Sequence, residues 1–206
     1  MFVFGGWDGK QFFNDLHVLD LEAMAWQRTQ TSGPEPTARQ GHASVLIGNN
    51  LVIHGGFCLR IEELKKAGLK QGTPTQQSYI SDIRVLDTDS FVWSRLRISG
   101  SPPEARYGHS LSVSGSDIIM FGGWSKHSGN KNSHVIQKEQ SEYFMIWSTE
   151  TMSWKKGHYV GNPPSLRYGH TATAIGPHLL IFGGWEYAKA INEIIVLREF
   201  AASGSK

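Results

Sequence analysis

Hydrophobic positions along the chain fall in short runs, and four of those runs end in the same punctuation. Phe2-Val3-Phe4, Leu51-Val52-Ile53, Ile118 to Phe121 and Leu179 to Phe182 lead into Gly5-Gly6-Trp7, Gly55-Gly56-Phe57, Gly122-Gly123-Trp124 and Gly183-Gly184-Trp185. Further runs follow in the period of two, as in Leu16-His17-Val18-Leu19 and Ile83-Arg84-Val85-Leu86, with Ile194-Ile195-Val196-Leu197 in the last unit. Short runs of this kind, rich in β-branched residues and bounded by turn formers, predict strands. No stretch keeps a helical period across a unit. The doubled glycine predicts a strand end where the backbone needs positive φ or a close neighbour.

The sequence numbers of the first glycines, Gly5, Gly55, Gly122 and Gly183, differ by 50, 67 and 61, a spacing that marks a stack of like units. Trp26, Trp93 and Trp154 precede Arg39, Arg106 and Arg167 by the same interval of 13, and each arginine precedes the next Gly-Gly by 16. Every arginine opens Arg-x-Gly-His, ending at His42, His109 and His170. Only the interval from the second glycine to the next turn residue varies: 14 for Gly6 to Asp20, 31 for Gly56 to Asp87 and 25 for Gly123 to Ser148. Removing the excesses of 17 and 11 returns a period of 50 in both cases. All length variation therefore lies in one connection. Each unit reads as four strands: one after Arg-x-Gly-His (Ala43 to Ile47, Ser110 to Val113, Thr171 to Ile175), one ending at Gly-Gly, one alternating, and one beginning at the tryptophan. Asp20, Asp87 and Ser148 suit the tight turn between the third and fourth, where a short polar side chain bonds the turn backbone.

This order of Arg-x-Gly-His, Gly-Gly strand, alternating strand and tryptophan resembles the kelch repeat, from Phe2 to Leu197. The resemblance implies an all-β fold, a β-propeller of four-stranded antiparallel blades packed radially. A WD-type propeller fits less well, since Trp7-Asp8 is the sole Trp-Asp pair and follows Gly-Gly. The expected organisation is a partial blade over 2–38, blades over 39–105 and 106–166, a partial blade over 167–197 and a tail over 199–206. That is about three and a half blades. The first partial blade lacks strand one and the last lacks strand four, so the chain is expected to be a piece of a ring with six or seven blades.

Composition narrows the function. A net charge of +2, with scattered basic residues, gives no footprint for nucleic acid. The single cysteine, Cys58, rules out an internal disulfide framework and fits a reducing compartment. No apolar run approaches a membrane span, and Met1-Phe2-Val3-Phe4 enters a strand without a basic leader. A cytoplasmic location is expected.

Strand parity puts the loop between strands two and three on the same face as the loop between units. The two insertions (Phe57 to about Ser78, and Trp124 to about Glu142), the residues after Gly-Gly and the arginine turns therefore share one face. Insertions on one face of a repeat array often bind. The first carries a possible short helix within Leu59 to Lys70, read either as a docking element or as packing on the rim; the second is polar and glycine-bearing. Arg39, Arg106 and Arg167 are candidates for a positive collar at the channel mouth, as in kelch propellers that hold acidic peptides, because guanidinium forks match carboxylates. The structural alternative pairs them with Asp82, Glu142 and Glu193, which recur with Asp15 at the start of strand three. Tyr107 and Tyr168 adjoin the arginines, with Gln40 in the third such place. Trp7, Phe57, Trp124 and Trp185 are either exposed anchors or packing against the adjacent blade. Trp26, Trp93 and Trp154 are expected between blades, each burial removing roughly 150–250 Å².

His42, His109 and His170 are read as structural, since one imidazole per blade does not converge on an ion, and no zinc motif is present. No nucleophile elbow, phosphate loop or spaced acid pair appears, and no cofactor is expected. Some kelch proteins are copper-radical oxidases, and Cys58 is the sole candidate for their cross-linked cysteine, without supporting ligands. The expected function is a non-enzymatic module that binds a protein partner, an acidic or apolar peptide or loop. The alternatives are an accessory region of a larger enzyme or an architectural subunit.

Overall fold

A computed structural model describes residues 1–59, 77–128, 142–162, 164–187 and 189–198. Among them every regular element is a strand. Four main sheets follow one another along the chain, beside three short two-stranded ones, and in each main sheet three or four antiparallel strands pair in sequence order. The first sheet holds Phe2–Trp7, Phe12–Asp20 and Ala25–Thr29. The second holds Ala43–Ile47, Asn50–His54, Ile83–Asp87 and Val92–Arg95. The third holds Ser110–Ser114, Asp117–Phe121, Phe144–Ser148 and Ser153–Lys156. The fourth holds Thr171–Ile175, His178–Phe182 and Ile194–Arg198.

The turns into the tryptophan strands form as their polar residues require. Oδ1 of Asp20 accepts from the amides of Glu22 and Ala23 at 2.8 and 3.0 Å. Oδ1 of Asp87 accepts from Asp89 and Ser90 at 3.0 and 2.7 Å. These turns also hold Met24, Phe91 and Met152 at φ of 51°, 55° and 49°, a conformation that costs a bulky residue free energy. Neither methionine nor phenylalanine announces such a turn in a sequence.

Because successive strand residues point to opposite faces, each sheet is apolar on both faces and the core lies between sheets. Phe4 and Leu16 of the first sheet pack on Leu51, Ile53, Leu86 and Trp93 of the second. Val52, Ile83 and Val85 of the second pack on Ile118, Met120, Met145 and Trp154 of the third. Ile119, Phe121 and Phe144 of the third pack on Leu179 and Ile181 of the fourth. The tryptophan of the second and of the third sheet thus covers the sheet before it. The connection between sheets runs beside that tryptophan strand: Ser99–Gly100 pairs in parallel with Ser153–Trp154, and Ser32 bridges Val92. A Cβ on Gly33 or Gly100 would lie 2.4 Å from the carbonyl oxygen of Trp93 or Trp154, so only glycine fits there.

The three tryptophans, expected alike between sheets, divide. Trp93 and Trp154 are 1% and 6% exposed, while Trp26 is 56% exposed. The reason is positional. Trp26 lies on the first sheet, which has no preceding sheet among the described residues for it to cover. Trp93→Ala is expected to cost about 3–5 kcal/mol of unfolding free energy. Trp26→Ala should change it by no more than about 0.5 kcal/mol. Urea titration of both variants checks the contrast, and equal losses would contradict the assigned packing.

Candidate functional site

The arginine turns occupy one end of the sheets and are built from the inside out. Arg39, Arg106 and Arg167 are 0%, 1% and 1% exposed. Nη1 of each donates to the carbonyl of the first glycine of the next pair: Gly55 at 3.0 Å, Gly122 at 3.0 Å and Gly183 at 3.2 Å. Each also meets the acid opening strand three. Arg39 donates to both Asp82 oxygens at 2.6 and 3.3 Å, Arg106 reaches Glu142 at 3.4 Å, and Arg167 reaches Glu193 at 3.3 Å. Nε of each donates to a nearby carbonyl in its own turn, on Thr37, Glu104 or Ser165. Burial alone would raise the Asp82 carboxyl, but the Arg39 and Arg84 guanidiniums outweigh it and hold it below the usual carboxylate value.

The forks therefore face inward, which differs from an exposed collar. A buried guanidinium is tolerated only if its donors are met, and carbonyls and a carboxylate meet them. The main chain of the same residues links sheets: the carbonyls of Arg39, Arg106 and Arg167 accept from Gly6, Gly56 and Gly123 at 2.8, 2.8 and 2.9 Å. Gly108 donates to the Gly41 carbonyl at 2.7 Å and Gly169 to Gly108 at 2.8 Å, which continues the link from turn to turn.

The histidines pack where the preceding sheet has no side chain. A Cβ on Gly55 or Gly122 would stand 2.7 or 2.6 Å from Cε1 of His109 or His170. Two of the rings just before a Gly-Gly meet such imidazoles edge-on, Phe4 with His42 at 5.5 Å and Phe121 with His170 at 5.3 Å. His54 takes that place in the second sheet, with Nδ1 2.9 Å from Nε2 of His109. Burial lowers His42 and His170 to about 4 and His54 to about 3, and it pushes His109 well below its ordinary value; nearby guanidiniums add to the shifts. These rings are neutral. Among the described residues no group of three or more His, Cys, Asp or Glu is placed to hold a metal ion.

In the second, third and fourth sheets the residue after Gly-Gly pairs with the second residue of Arg-x-Gly-His. Gln40 bridges Phe57, Tyr107 pairs with Trp124, and Tyr168 bridges Trp185. This brings the predicted aromatics to the same end as the arginines but outside them. A row of rings crosses all four sheets. Trp7 stacks on Phe12 at 6.0 Å, Phe12 meets Phe57 at 6.0 Å, and Phe57 meets Tyr107 at 6.0 Å. Tyr107 meets Tyr168 at 5.7 Å, Tyr168 meets Trp124 at 5.2 Å, and Trp124 meets Tyr187 at 5.5 Å. Tyr79 joins from the side, 5.8 Å from both Phe57 and Tyr107. Burial raises the Tyr79 and Tyr107 phenols, which keeps both as neutral hydroxyls. Trp7, Trp185 and Tyr187 are about half exposed, at 51%, 47% and 50%. The alternatives posed from sequence divide: Phe57 and Trp124 meet rings of an adjacent sheet, while Trp7 and Trp185 are half exposed, Trp185 joining the face through its bridge to Tyr168. Phe12, Tyr79 and Tyr187 escaped the sequence reading because they stand in the variable connection, where no spacing repeats. Cys58 is buried in the short strand Phe57–Leu59. The helix expected within Leu59 to Lys70 and most of the polar insertion fall in 60–76 and 129–141, outside the described residues.

Sheets packed face to face in chain order, closed by buried arginines and capped by the next sheet's tryptophan, define a β-propeller region. The chain belongs to the Kelch-repeat family: the family described as the KLHDC2/KLHL20/DRC7 Kelch-repeats domain matches residues 1–123 and 71–200. It is similar to Tip elongation aberrant protein 1 of Schizosaccharomyces pombe, 30% identical over 195 residues, which cover 94% of this chain and 15% of that protein. It is 26% identical over 186 residues to Kelch domain-containing protein 3 of Rattus norvegicus, covering 89% of this chain and 44% of that one. With the Rab9 effector protein with kelch motifs of Bos taurus it shares 28% over 188 residues, covering 89% and 43%. The chain thus spans less than half the length of these relatives. Kelch-repeat domains are typically non-enzymatic modules of protein interaction. No helix among the described residues is long and apolar enough to cross a membrane.

Two outcomes follow from the buried hub. Arg106→Met leaves the Glu142 carboxylate and the Gly122 carbonyl without that donor, and is expected to cost about 3–5 kcal/mol in chemical denaturation. An unchanged midpoint would mean the fork does not hold the sheet. The second outcome concerns acid. The folded histidines have lowered pKa values, so below the unfolded value of about 6.5 the unfolded chain binds protons that the folded chain refuses. Stability is expected to fall as pH drops from about 7.5 to about 5, above the range where Asp82 titrates. His170→Gln should flatten that profile, and a midpoint constant over this interval would refute the neutral burial.

Proposed function

We propose that the chain is a protein-interaction module holding a partner peptide or loop along the aromatic row, on the face that carries Trp7, Phe57, Trp124, Trp185, Tyr107 and Tyr168. The continuous ring-to-ring contact across four sheets carries this reading. Aromatic side chains bury large area at low entropic cost and dominate interface energetics. Arg39, Arg106 and Arg167 serve the surface from beneath, by fixing the Gly-Gly turns that present the rings. With those guanidiniums committed to Asp82, Glu142 and Glu193, the partner's anchors are apolar or aromatic rather than acidic. The single buried thiol favours a cytoplasmic setting. A second reading, a kelch region carried within a larger protein, is favoured by the 15%, 44% and 43% of the three compared relatives that the chain spans.

Selection of a displayed random-peptide library on the chain tests the row. Enriched peptides are expected to lose at least about thirtyfold in affinity on the Trp7→Ala, Trp185→Ala double variant. Its thermal midpoint should stay near that of the parent, because both rings are half exposed. Peptides that bind parent and variant alike would refute the reading.

A further inference from the structure

The middle of the aromatic row is shaped for one kind of peptide. Phe57, Tyr79, Tyr107 and Trp124 belong to the second and third units, which have a packed sheet on either side, and all four keep part of their surface exposed. The rings follow one another because their turns are joined: Gly108 donates to the Gly41 carbonyl at 2.7 Å and Gly169 to the Gly108 carbonyl at 2.8 Å. Phe57, Tyr107 and Tyr168 stand in steps of 6.0 and 5.7 Å. Each is braced by another ring, Phe57 and Tyr107 by Tyr79 at 5.8 Å and Tyr168 by Trp124 at 5.2 Å. The surface is ordered before anything binds, so little side-chain freedom is lost on binding.

Its polar groups are of one sort. The Tyr79 oxygen accepts from the Trp124 indole, which leaves the Tyr79 hydrogen for another acceptor. The hydroxyls of Tyr107 and Tyr168 have no hydrogen-bond partner among the described residues. A phenol that keeps its proton donates, and burial raises Tyr79 and Tyr107. The rings thus offer flat faces and donors without formal charge, and the guanidiniums beneath them are taken up by Asp82, Glu142 and Glu193. The complement of such a surface is uncharged, rich in acceptors and poor in donors. A polyproline helix has that character. Proline lacks the backbone N–H, and the carbonyls of the helix have no internal partner. With a rise of about 3.1 Å per residue, about four of its residues match the two steps of the row. An α-helix has spent its carbonyls on itself, and a strand brings as many N–H groups as carbonyls.

We propose that the row takes a proline-rich segment of another protein in the polyproline II conformation, with pyrrolidine rings on Phe57, Tyr107, Tyr168 and Trp124 and carbonyls accepting from the tyrosine hydroxyls. This occupant rests on the reading of the row as a peptide site, and adds the composition and backbone conformation of the partner. Proline segments suit aromatic surfaces because they are ordered before they bind.

A fluorescein-labelled peptide of nine prolines, titrated onto the full chain by fluorescence anisotropy, is the probe. Saturable binding is expected, with the Trp124 indole N–H resonance shifted. A glycine-serine peptide of the same length, equally uncharged but unordered, should bind at least about thirtyfold more weakly. Tyr107→Phe with Tyr168→Phe keeps the rings and removes two donors. That double variant should weaken binding of the proline peptide about five- to hundredfold, with a thermal midpoint near that of the parent. Absence of saturable binding, equal binding of the glycine-serine peptide, or indifference to loss of the hydroxyls would each overturn the proposal. Should the proline peptide fail while library-selected peptides still lose affinity on Trp7→Ala with Trp185→Ala, the row stays a peptide site and its proline occupant alone falls. Should both fail, the row is no peptide site.

Discussion

The buried arginine of each turn is the constraint on which the rest depends. Its side chain closes its own sheet by joining the Gly-Gly carbonyl to the acid that opens strand three. Its main-chain carbonyl receives the second glycine of the sheet before. One residue thus fixes both the internal shape of a sheet and its seat on a neighbour. A guanidinium removed from water is tolerable only with its donors met, so the distance along the chain that brings the fork to the Gly-Gly carbonyl cannot drift, while the carboxylate arrives across the connection of variable length. That is why the interval from each arginine to the next Gly-Gly is the same in every unit.

The same bonds explain where the chain is free to vary. The insertions begin after the second glycine and end before strand three, and both ends are held. Gly55, Gly122 and Gly183 donate to the carbonyls of Asp82, Tyr143 and Glu193 at 3.2, 2.8 and 3.0 Å. A loop with pinned ends grows at small entropic cost, about 0.6 kcal/mol per doubling of length. Extra residues can therefore accumulate there while the hub keeps its geometry. The neutral histidines belong to the hub too, since His109 and His170 fill the space that a glycine of the preceding sheet leaves open.

Much of this was legible in the chain, and what was not shares a cause. The strands, the aspartate turns and the fixed interval from Arg39, Arg106 and Arg167 to the next Gly-Gly show as repeated spacing, because a repeated bond imposes a repeated distance, while Asp82, Glu142 and Glu193 show only as acids recurring where strand three opens. Spacing says nothing about what lies next to a unit. Trp26 has the same place in its unit as Trp93 and Trp154, yet it is exposed because burial depends on a preceding sheet. Nor does spacing give direction: a fixed arginine fits a buried fork or an exposed collar equally well. Phe12, Tyr79 and Tyr187 left no trace because they stand in the connection whose length differs from unit to unit.

That last difference bears on function. Residues that serve the repeat are identical from unit to unit, as the arginines, histidines and doubled glycines are. The row of rings is less uniform: Phe57 stands where Trp7, Trp124 and Trp185 stand, Gln40 where Tyr107 and Tyr168 stand, and Phe12, Tyr79 and Tyr187 come from the variable connection. Packing needs alone would have drawn one residue type to each equivalent place. A surface that differs at each step around an unvarying frame offers a partner a direction and a register, which a uniform ring of side chains does not.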